Sequence, residues 1–386
     1  MNGIKKIYNL EFLWEKKITH IIVGLNNGGA EMMLYKLLKY SDRDKYDFQI
    51  ISMMDEGIMG KRIKELDIPI YTLNMKRGIP SFKSIFKAIK ICKNTDLIQT
   101  WMYHADLLGF IIAKILKKRI IWGIRRSNLE KDKNKKSTLL IIKINAFLSK
   151  WVDTVISCSI VAKENHIKYG YNSKNIKVIP NGFELEKFYY IEDAKNKLNK
   201  EFPMLMNKLI FSLVARYEIL KDHKTCLEAM RILKEKFYQN FILLLCGTNI
   251  NQENKELINL ITKNKLENNV LLLDRREDIP VIMSATDIYI SSSLGEGFPN
   301  VIGEAMSCET PCVVTNVGDS AYIVGDTGRI VERQNPEKLA DEIIDFIKSG
   351  EYIKNRKKCR ERIIDNFHIK KIVIEYEKFY QNIYNC

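Results

Sequence analysis

The sequence predicts an α/β protein built as two doubly wound parallel-sheet domains in series, and three observations carry the prediction. At 386 residues the chain exceeds the ~250–300 residues at which a single hydrophobic core stops growing. Short, nearly continuous apolar runs alternate with segments whose apolar residues recur three and four apart, as buried parallel strands and their covering helices do. The alternation is broken once, by a polar, helix-prone stretch at 186–206, and then begins again.

In the first half the strand candidates are Ile18–Leu25, Asp47–Met54, Ile68–Leu73, Asp96–Trp101, Arg119–Ile124, Asp153–Cys158 and Ile176–Ile179. Helical periodicity lies between them, as in Phe82, Ile85, Phe86 and Ile89. After Pro180-Asn181-Gly182 and the polar stretch, a second set follows: Leu209–Ala215, Phe241–Cys246, Val270–Leu273, Asp287–Ser291, Pro311–Thr315 and Arg329–Val331. Lys221–Phe237 and Asn300–Ser307 read as helices of this half. Ile369–Tyr384 reads as an amphipathic tail helix through Ile372, Val373, Tyr376, Phe379, Tyr380 and Ile383. Two such domains enclose a ligand in the cleft at the carboxyl ends of their strands.

Composition narrows the classes. Apolar residues make up 46% and charged residues 28% of the chain, values of an ordinary folded protein. No apolar stretch approaches the ~20 residues of a membrane-spanning helix, and the sequence opens without an export-signal pattern. Eight cysteines without a CxxC pair fit a reducing cytoplasm rather than a disulfide frame. The net charge of +15 is unevenly placed: residues 1–185 hold 33 Lys+Arg against 17 Asp+Glu, whereas 186–386 hold 29 against 30. A basic first half fits either a solvated lysine-rich surface or a face turned toward something anionic. Segment 131–136, which precedes an apolar helix at 139–151, and Lys83, Lys87 and Lys90 are the local concentrations.

Three strand-to-helix turns carry candidate chemistry. The first, Gly24 to Glu31, contains Gly28 and Gly29, whose backbone allows close approach at a helix start suited to an anion. The second, Ala215 to Lys221, places Arg216 and Lys221 where two cations can meet a phosphate. The third is the most informative: Ser292-Ser293-Leu294-Gly295-Glu296-Gly297-Phe298-Pro299-Asn300-Val301-Ile302-Gly303-Glu304. It leaves the amides of Phe298, Asn300 and Val301 at a helix mouth, where a diphosphate would be held. Glu296 stands before the helix as an acceptor for sugar hydroxyls, and Glu304 one turn inside it.

With these turns in place the chain resembles the retaining nucleotide-sugar glycosyltransferases of family 4, which have the GT-B fold. Glu296 and Glu304 match that family's E-x7-E element, Arg216 through Lys221 its R-x4-K turn, and Val178 through Phe188 its NG(I/F)D linker. Gly28-Gly29-Ala30-Glu31 is similar to its first loop and Asp326-Thr327-Gly328 to its late turn. The resemblance implies an acceptor-side domain at 1–187, completed by the tail at 369–386, and a donor-binding domain at 188–368. It implies a sugar moved from a nucleotide-diphosphate sugar, a UDP-sugar foremost, to a hydroxyl of a glycan or polyprenyl-linked acceptor in cell-surface polysaccharide or oligosaccharide synthesis. Arg216 and Lys221 would hold the diphosphate, Glu304 the ribose, and Glu296 with the amides of Gly297 and Phe298 the donor-sugar hydroxyls, with Pro299, Asn300 and Val301 completing the donor-binding turn, while Gly29 would approach the diphosphate. His104, at the end of the fourth strand, and Arg125, aligned with a histidine common in relatives, complete the catalytic candidates. Asp274 and Glu309 stand where relatives often have glycine, and Tyr322 where they often have Glu.

His20, His166, His223 and His368 form no metal-ligand spacing, and no metal or other cofactor is expected. The placement that fits is cytoplasmic and peripheral on the inner face of the plasma membrane. Two other functions share these features. A nucleotide-sugar epimerase of the same fold would turn over its substrate without an acceptor, and a non-enzymatic nucleic-acid binder would use the basic half, though no nucleic-acid module is recognisable.

Overall fold

The computed structural model describes residues 16–26, 28–75, 82–127, 129 and 135–385. Asn27 of the first glycine turn and residues 131–134 of the lysine-rich segment lie outside the described residues. Compactness divides the chain into two units: Met1–Gly123 with Trp151–Thr154 and Phe379–Cys386, and Ile124–Lys150 with Val155–Lys378.

Among the described residues thirteen strands form two sheets. The first sheet contains β1 (Lys16–Ile22), β2 (Tyr46–Ser52), β3 (Ile70–Thr72), β4 (Leu97–Trp101), β5 (Arg119–Ile124), β6 (Thr154–Ser157) and β7 (Ile176–Val178), in the order β3-β2-β1-β4-β5-β6-β7. The second contains β8 (Leu209–Val214), β9 (Phe241–Cys246), β10 (Val270–Leu272), β11 (Ile288–Ser291), β12 (Cys312–Thr315) and β13 (Arg329–Val331), in the order β10-β9-β8-β11-β12-β13. Every neighbouring pair of the second sheet is parallel. Both orders reverse beside their first strand, so β1/β4 and β8/β11 are topological switch points, where open α/β sheets hold ligands.

The apolar runs become strands because both sheet faces are covered. Ile18, Ile21, Ile50, Ile51, Leu97 and Ile98 are buried in the first sheet, and Phe211, Leu243, Leu245, Ile288 and Val313 in the second. Expected and observed strands coincide closely. The largest offset is β1, expected at Ile18–Leu25, because its last apolar residues leave the ladder for the glycine turn while still pairing: Met54 N–H donates to Val23 O at 3.0 Å.

The helix expected at Lys221–Phe237 is shorter and begins at His223. Asp222 takes left-handed backbone (φ 46°) and caps the new start, its Oδ1 accepting from Thr225 N–H at 3.2 Å. Lys221 therefore ends a short 3-10 turn ahead of the helix instead of riding on it. The Asn300–Ser307 helix appears with the expected ends, and the tail helix runs Ile369–Asn385. Among the described residues no helix is long and apolar enough to cross a membrane. The seven described cysteines are buried free thiols.

Candidate active site

The second sheet's switch point assembles the main cluster. The loop after β8 brings Lys221, and the loop after β11 brings Glu296. Backbone bonds fix the two loops to each other: Leu294 N–H donates to Leu220 O at 2.8 Å. Ser292 Oγ donates to the carbonyls of Lys221 (3.1 Å) and Asp222 (2.9 Å). On that frame Lys221 Nζ meets Glu296 Oε1 at 2.5 Å, with the two side chains 22% and 14% exposed. Ser293 Oγ donates to the same carboxylate oxygen at 2.8 Å. The result is a part-buried, charge-assisted pair of the stronger kind.

Arg216 does not join this pair. Its side chain is 66% exposed, and its Nε donates to Glu218 Oε2 at 2.7 Å. An exposed pair of that type contributes little, so an arriving phosphate can take the guanidinium over at small cost.

Pro299 precedes the Asn300–Ser307 helix without a side-chain cap. Ile302 N–H reaches back to Pro299 O at 3.2 Å, while the amides of Asn300 and Val301 fall in the first turn, where no intrahelical acceptor exists. The Phe298 ring is buried, packing against Phe183 and Phe367 at centroid distances of 6.1 and 5.8 Å. Glu304 is half-buried on the same helix. Gly303 is required by packing, since a Cβ there would penetrate the Phe183 ring.

A polar chain locks the start of this helix. Arg125 donates through Nη2 to Tyr376 Oη (2.5 Å) and through Nη1 to Asn181 Oδ1 (3.2 Å). Asn181 Nδ2 donates in turn to Asn300 Oδ1 at 2.9 Å. Arg125, a catalytic candidate in the sequence, is thus bonded into the support of the helix mouth.

The Glu296 turn is pinned from behind as well. Ser127 Oγ donates to Glu296 O, and Asp319 N–H donates to Gly297 O at 3.0 Å. Gly318 takes φ +54° directly against the Glu296 and Gly297 carbonyls, leaving no room for a Cβ. The Asp319 carboxylate accepts from the amides of Ile160 (2.8 Å) and Val161 (3.1 Å) at the start of the Ile160–Lys168 helix. Burial raises its pKa above the ordinary carboxylate value, and those two amides oppose the rise.

The remaining candidates belong to the first unit, at its own switch point. Gly28 caps and Gly29 opens the Gly29–Tyr40 helix after β1. Here the anion position is already served from within: the Glu31 carboxylate lies where a Gly28 side chain would be and bonds its own backbone amide. His104 is half-buried in the first turn after β4, and burial lowers its pKa. The residue before that helix, Met102, has φ 73° and ψ 158°, a region nearly reserved for glycine and strained for any other residue.

Ser127, Ser292, Ser293, Asp319 and Tyr376 were not among the sequence candidates for the site. Two serines after a strand could have flagged the loop frame; single polar residues elsewhere in the chain carry no comparable signal.

Two Rossmann-like parallel-sheet domains, the second with a cationic turn, a paired glutamate and open helix amides at its switch point, define a GT-B-type α/β protein suited to holding an anionic ligand. The family model for glycosyl transferases group 1 matches residues 194–365, and that for glycosyltransferase family 4 matches residues 27–187. The chain belongs to the family 4 glycosyltransferases. It is 24% identical over 374 residues to the UDP-Gal:α-D-GlcNAc-diphosphoundecaprenol α-1,3-galactosyltransferase of Escherichia coli, covering 94% of this chain and 96% of that one. It is 28% identical over 334 residues to the capsular polysaccharide biosynthesis glycosyltransferase CapM of Staphylococcus aureus, covering 78% and 82%. In fold it is similar to Anabaena HepE crystallised with UDP, with a TM-score of 0.84 at 22% identity over 95% of this chain and all of that one.

Proposed function

We propose that this glycosyltransferase moves a sugar from a UDP-sugar to a hydroxyl of a glycan or polyprenyl-linked acceptor, with retention and without a metal, in the synthesis of a cell-surface polysaccharide or oligosaccharide. The observation that carries the proposal is the convergence of Lys221, Glu296 and the Asn300 helix mouth at one switch point. The sugar–nucleotide named in the E. coli relative and the UDP bound by HepE support the donor class. The lipid-linked and capsular products named in the relatives support the acceptor class.

As the bond from the anomeric carbon to the diphosphate oxygen breaks, its electron pair leaves with the phosphate. Negative charge then grows where Lys221, Arg216 and the amides of Asn300 and Val301 are arranged to meet it, and preorganised donors of this kind lower the barrier most. The acceptor hydroxyl attacks from the face the diphosphate leaves, and its proton passes to a leaving-phosphate oxygen, so no protein base is required. Glu296, with the amides of Gly297 and Phe298, holds donor-sugar hydroxyls, and Glu304 holds the ribose. Arg125 keeps the Asn300 mouth in place. His104, whose pKa burial lowers, serves as a hydrogen-bond partner to a hydroxyl at the first switch point, and a donor diphosphate approaching Gly28 and Gly29 would have to displace the Glu31 carboxylate that lies against Gly28.

The test is a thermal-shift screen of nucleoside diphosphates and nucleotide sugars, since a ligand that binds only the folded state raises its stability by mass action. Proton NMR of the product made with the stabilising donor then reads the anomeric configuration. Stabilisation by no nucleoside diphosphate, or an inverted product, overturns the proposal.

A further inference from the structure

The Asn300–Ser307 helix, whose open first-turn amides lie at the site, is held along its whole length by one stretch of chain. Its 8 residues span about 12 Å. At its start, Asn181 Nδ2 donates to Asn300 Oδ1 at 2.9 Å. At its middle, the Phe183 ring lies where a Gly303 side chain would be. At its end, Arg360 Nη1 donates both to Ser307 O and to Phe188 O, the second at 3.1 Å. Residues 181–188 thus run beside the helix as a splint, with Arg360 as the fastening at the far end.

The splint is itself fixed. Phe183 N–H donates to Phe367 O at 2.8 Å, and Ile369 N–H donates to Phe183 O at 3.0 Å. The N–H groups of Lys187 and Phe188 both meet Glu184 O, at 3.1 and 2.9 Å, in a turn that sets the Phe188 carbonyl. The rings of Phe183, Phe298 and Phe367 pack on one another with centroids 6.1, 5.8 and 6.4 Å apart. The turn before the helix mouth, the splint and the Arg356–Phe367 helix therefore share one buried aromatic cluster.

Two other arginines of the Arg356–Phe367 helix make the same kind of bond elsewhere. Arg356 donates to Ser284 O (3.4 Å) and Thr286 O (3.3 Å) at the end of the Ile279–Ala285 helix. Arg362 donates to Ile323 O (2.8 Å) and Tyr322 O (2.6 Å) at the end of the Ser320–Val324 helix. The last carbonyls of a helix have no partner within it, and a cation there is favourable. Of these three capped helices, the one ending at Arg360 is the one whose opposite end meets the donor.

We infer that Arg360 is a positioning residue for sugar transfer. By joining Ser307 O to Phe188 O it sets where the Asn300–Ser307 helix sits along the splint, and so the distance of the Asn300 and Val301 amides from the leaving diphosphate. The inference rests on the reading of that helix mouth as the diphosphate site. A misplacement of about 1 Å caused far from the chemistry can cost roughly 10²-fold in rate. Because the amides act most where charge develops, turnover suffers more than the binding of UDP.

The test compares R360M, which keeps the apolar stem but loses both bonds, with R356M, which removes an equivalent cap from a helix that ends ahead of β11, away from the site loops. Each is read by melting temperature, calorimetric titration of UDP, and single-turnover release of UDP from the UDP-sugar that stabilises the parent. Both variants should melt below the parent. R360M should lose roughly tenfold or more in turnover and no more than about threefold in UDP affinity, whereas R356M keeps both parental values. F183L leaves Arg360 in place and loosens the splint beside Gly303; its turnover should fall as well, and it decides the question where R360M does not fold. Parental turnover in R360M or in F183L overturns the inference, as does an equal loss of turnover in R356M. A parent that binds no UDP overturns the donor reading, and this inference with it.

Discussion

Replacing Glu296 with Gln separates the roles of the central pair. Lys221 Nζ and Glu296 Oε1 are 2.5 Å apart with both side chains mostly buried. A hydrogen bond between charged partners in such a setting is worth about 1.5–3 kcal/mol. Without ligand, Glu296 therefore neutralises the cation that a diphosphate needs. Gln at this position keeps the shape and can still accept from Ser293 Oγ, but it leaves the Lys221 charge uncompensated until an anion arrives. E296Q should melt at a lower temperature than the parent, and it should bind UDP as tightly or up to about tenfold more tightly, a change of 1.4 kcal/mol.

Its turnover should fall, because the donor-sugar hydroxyls lose a charged acceptor. K221A should do the reverse to binding: UDP affinity drops, the unpaired carboxylate repels the phosphate, and kcat falls by roughly 10²–10³, as when an oxyanion donor is removed. In K221A/E296Q the repulsion is gone, so part of the UDP affinity lost in K221A returns. Calorimetric titration of UDP against the parent and three variants, paired with single-turnover rates, reads each effect. If E296Q weakens UDP by more than tenfold, or K221A/E296Q binds UDP no more tightly than K221A, Glu296 and Lys221 do not divide the donor as argued.

Three further outcomes are expected. Gly303→Ala drives a Cβ into the Phe183 ring and should cost about 1–3 kcal/mol by overpacking, read as a lower melting temperature that Phe183→Leu partly restores. Burial holds His20 at a pKa of about 3 and His166 and His223 at about 4, against 6.5 when unfolded. Because the folded values are depressed, their stability contribution is complete above about pH 6.5 and is lost as the pH falls toward 4 and below; a melting temperature that stays flat from pH 7 to 4 would contradict this. Turnover should persist in the presence of a chelator, since Lys221, Arg216 and the helix amides supply the positive charge; full loss restored by Mg2+ would show that a metal neutralises the diphosphate.

Much of the architecture was legible because it rests on local physics. An apolar run of four to seven residues buried on both faces leaves the same trace wherever it occurs, and β5, β9 and β13 have the ends the sequence gives them. Gly295, Gly297 and Pro299 punctuate the turn after β11, so Glu296 and the start at Asn300 could be placed from neighbours in the chain. The backbone is left-handed at Asp274 (φ 47°) and Glu309 (φ 60°), the conformation for which the resemblance leads one to expect glycine at both.

What was not legible is the support behind the site, and the reason is sequence distance. Arg125 and Tyr376 are separated by 251 residues, Ser127 and Glu296 by 169, and Ile160 and Asp319 by 159. A single polar side chain has no period, and only the folded chain shows which distant amide or carbonyl it meets. The strain at Met102 was equally hidden, because methionine has no preference for positive φ. Its N–H donates to Gly123 O and its carbonyl accepts from Asp106 N–H, both at 3.0 Å, so the surrounding sheet and helix hold it there. Strain of about 1–3 kcal/mol persists only where neighbouring structure over-determines it. At β4 it fixes the first turn of the helix that carries His104. Both switch points thus rest on nonlocal constraint, a hydrogen-bond network behind Glu296 and a forced backbone ahead of His104, and in each the residue bearing the chemistry is more readily read from sequence than the residues that aim it.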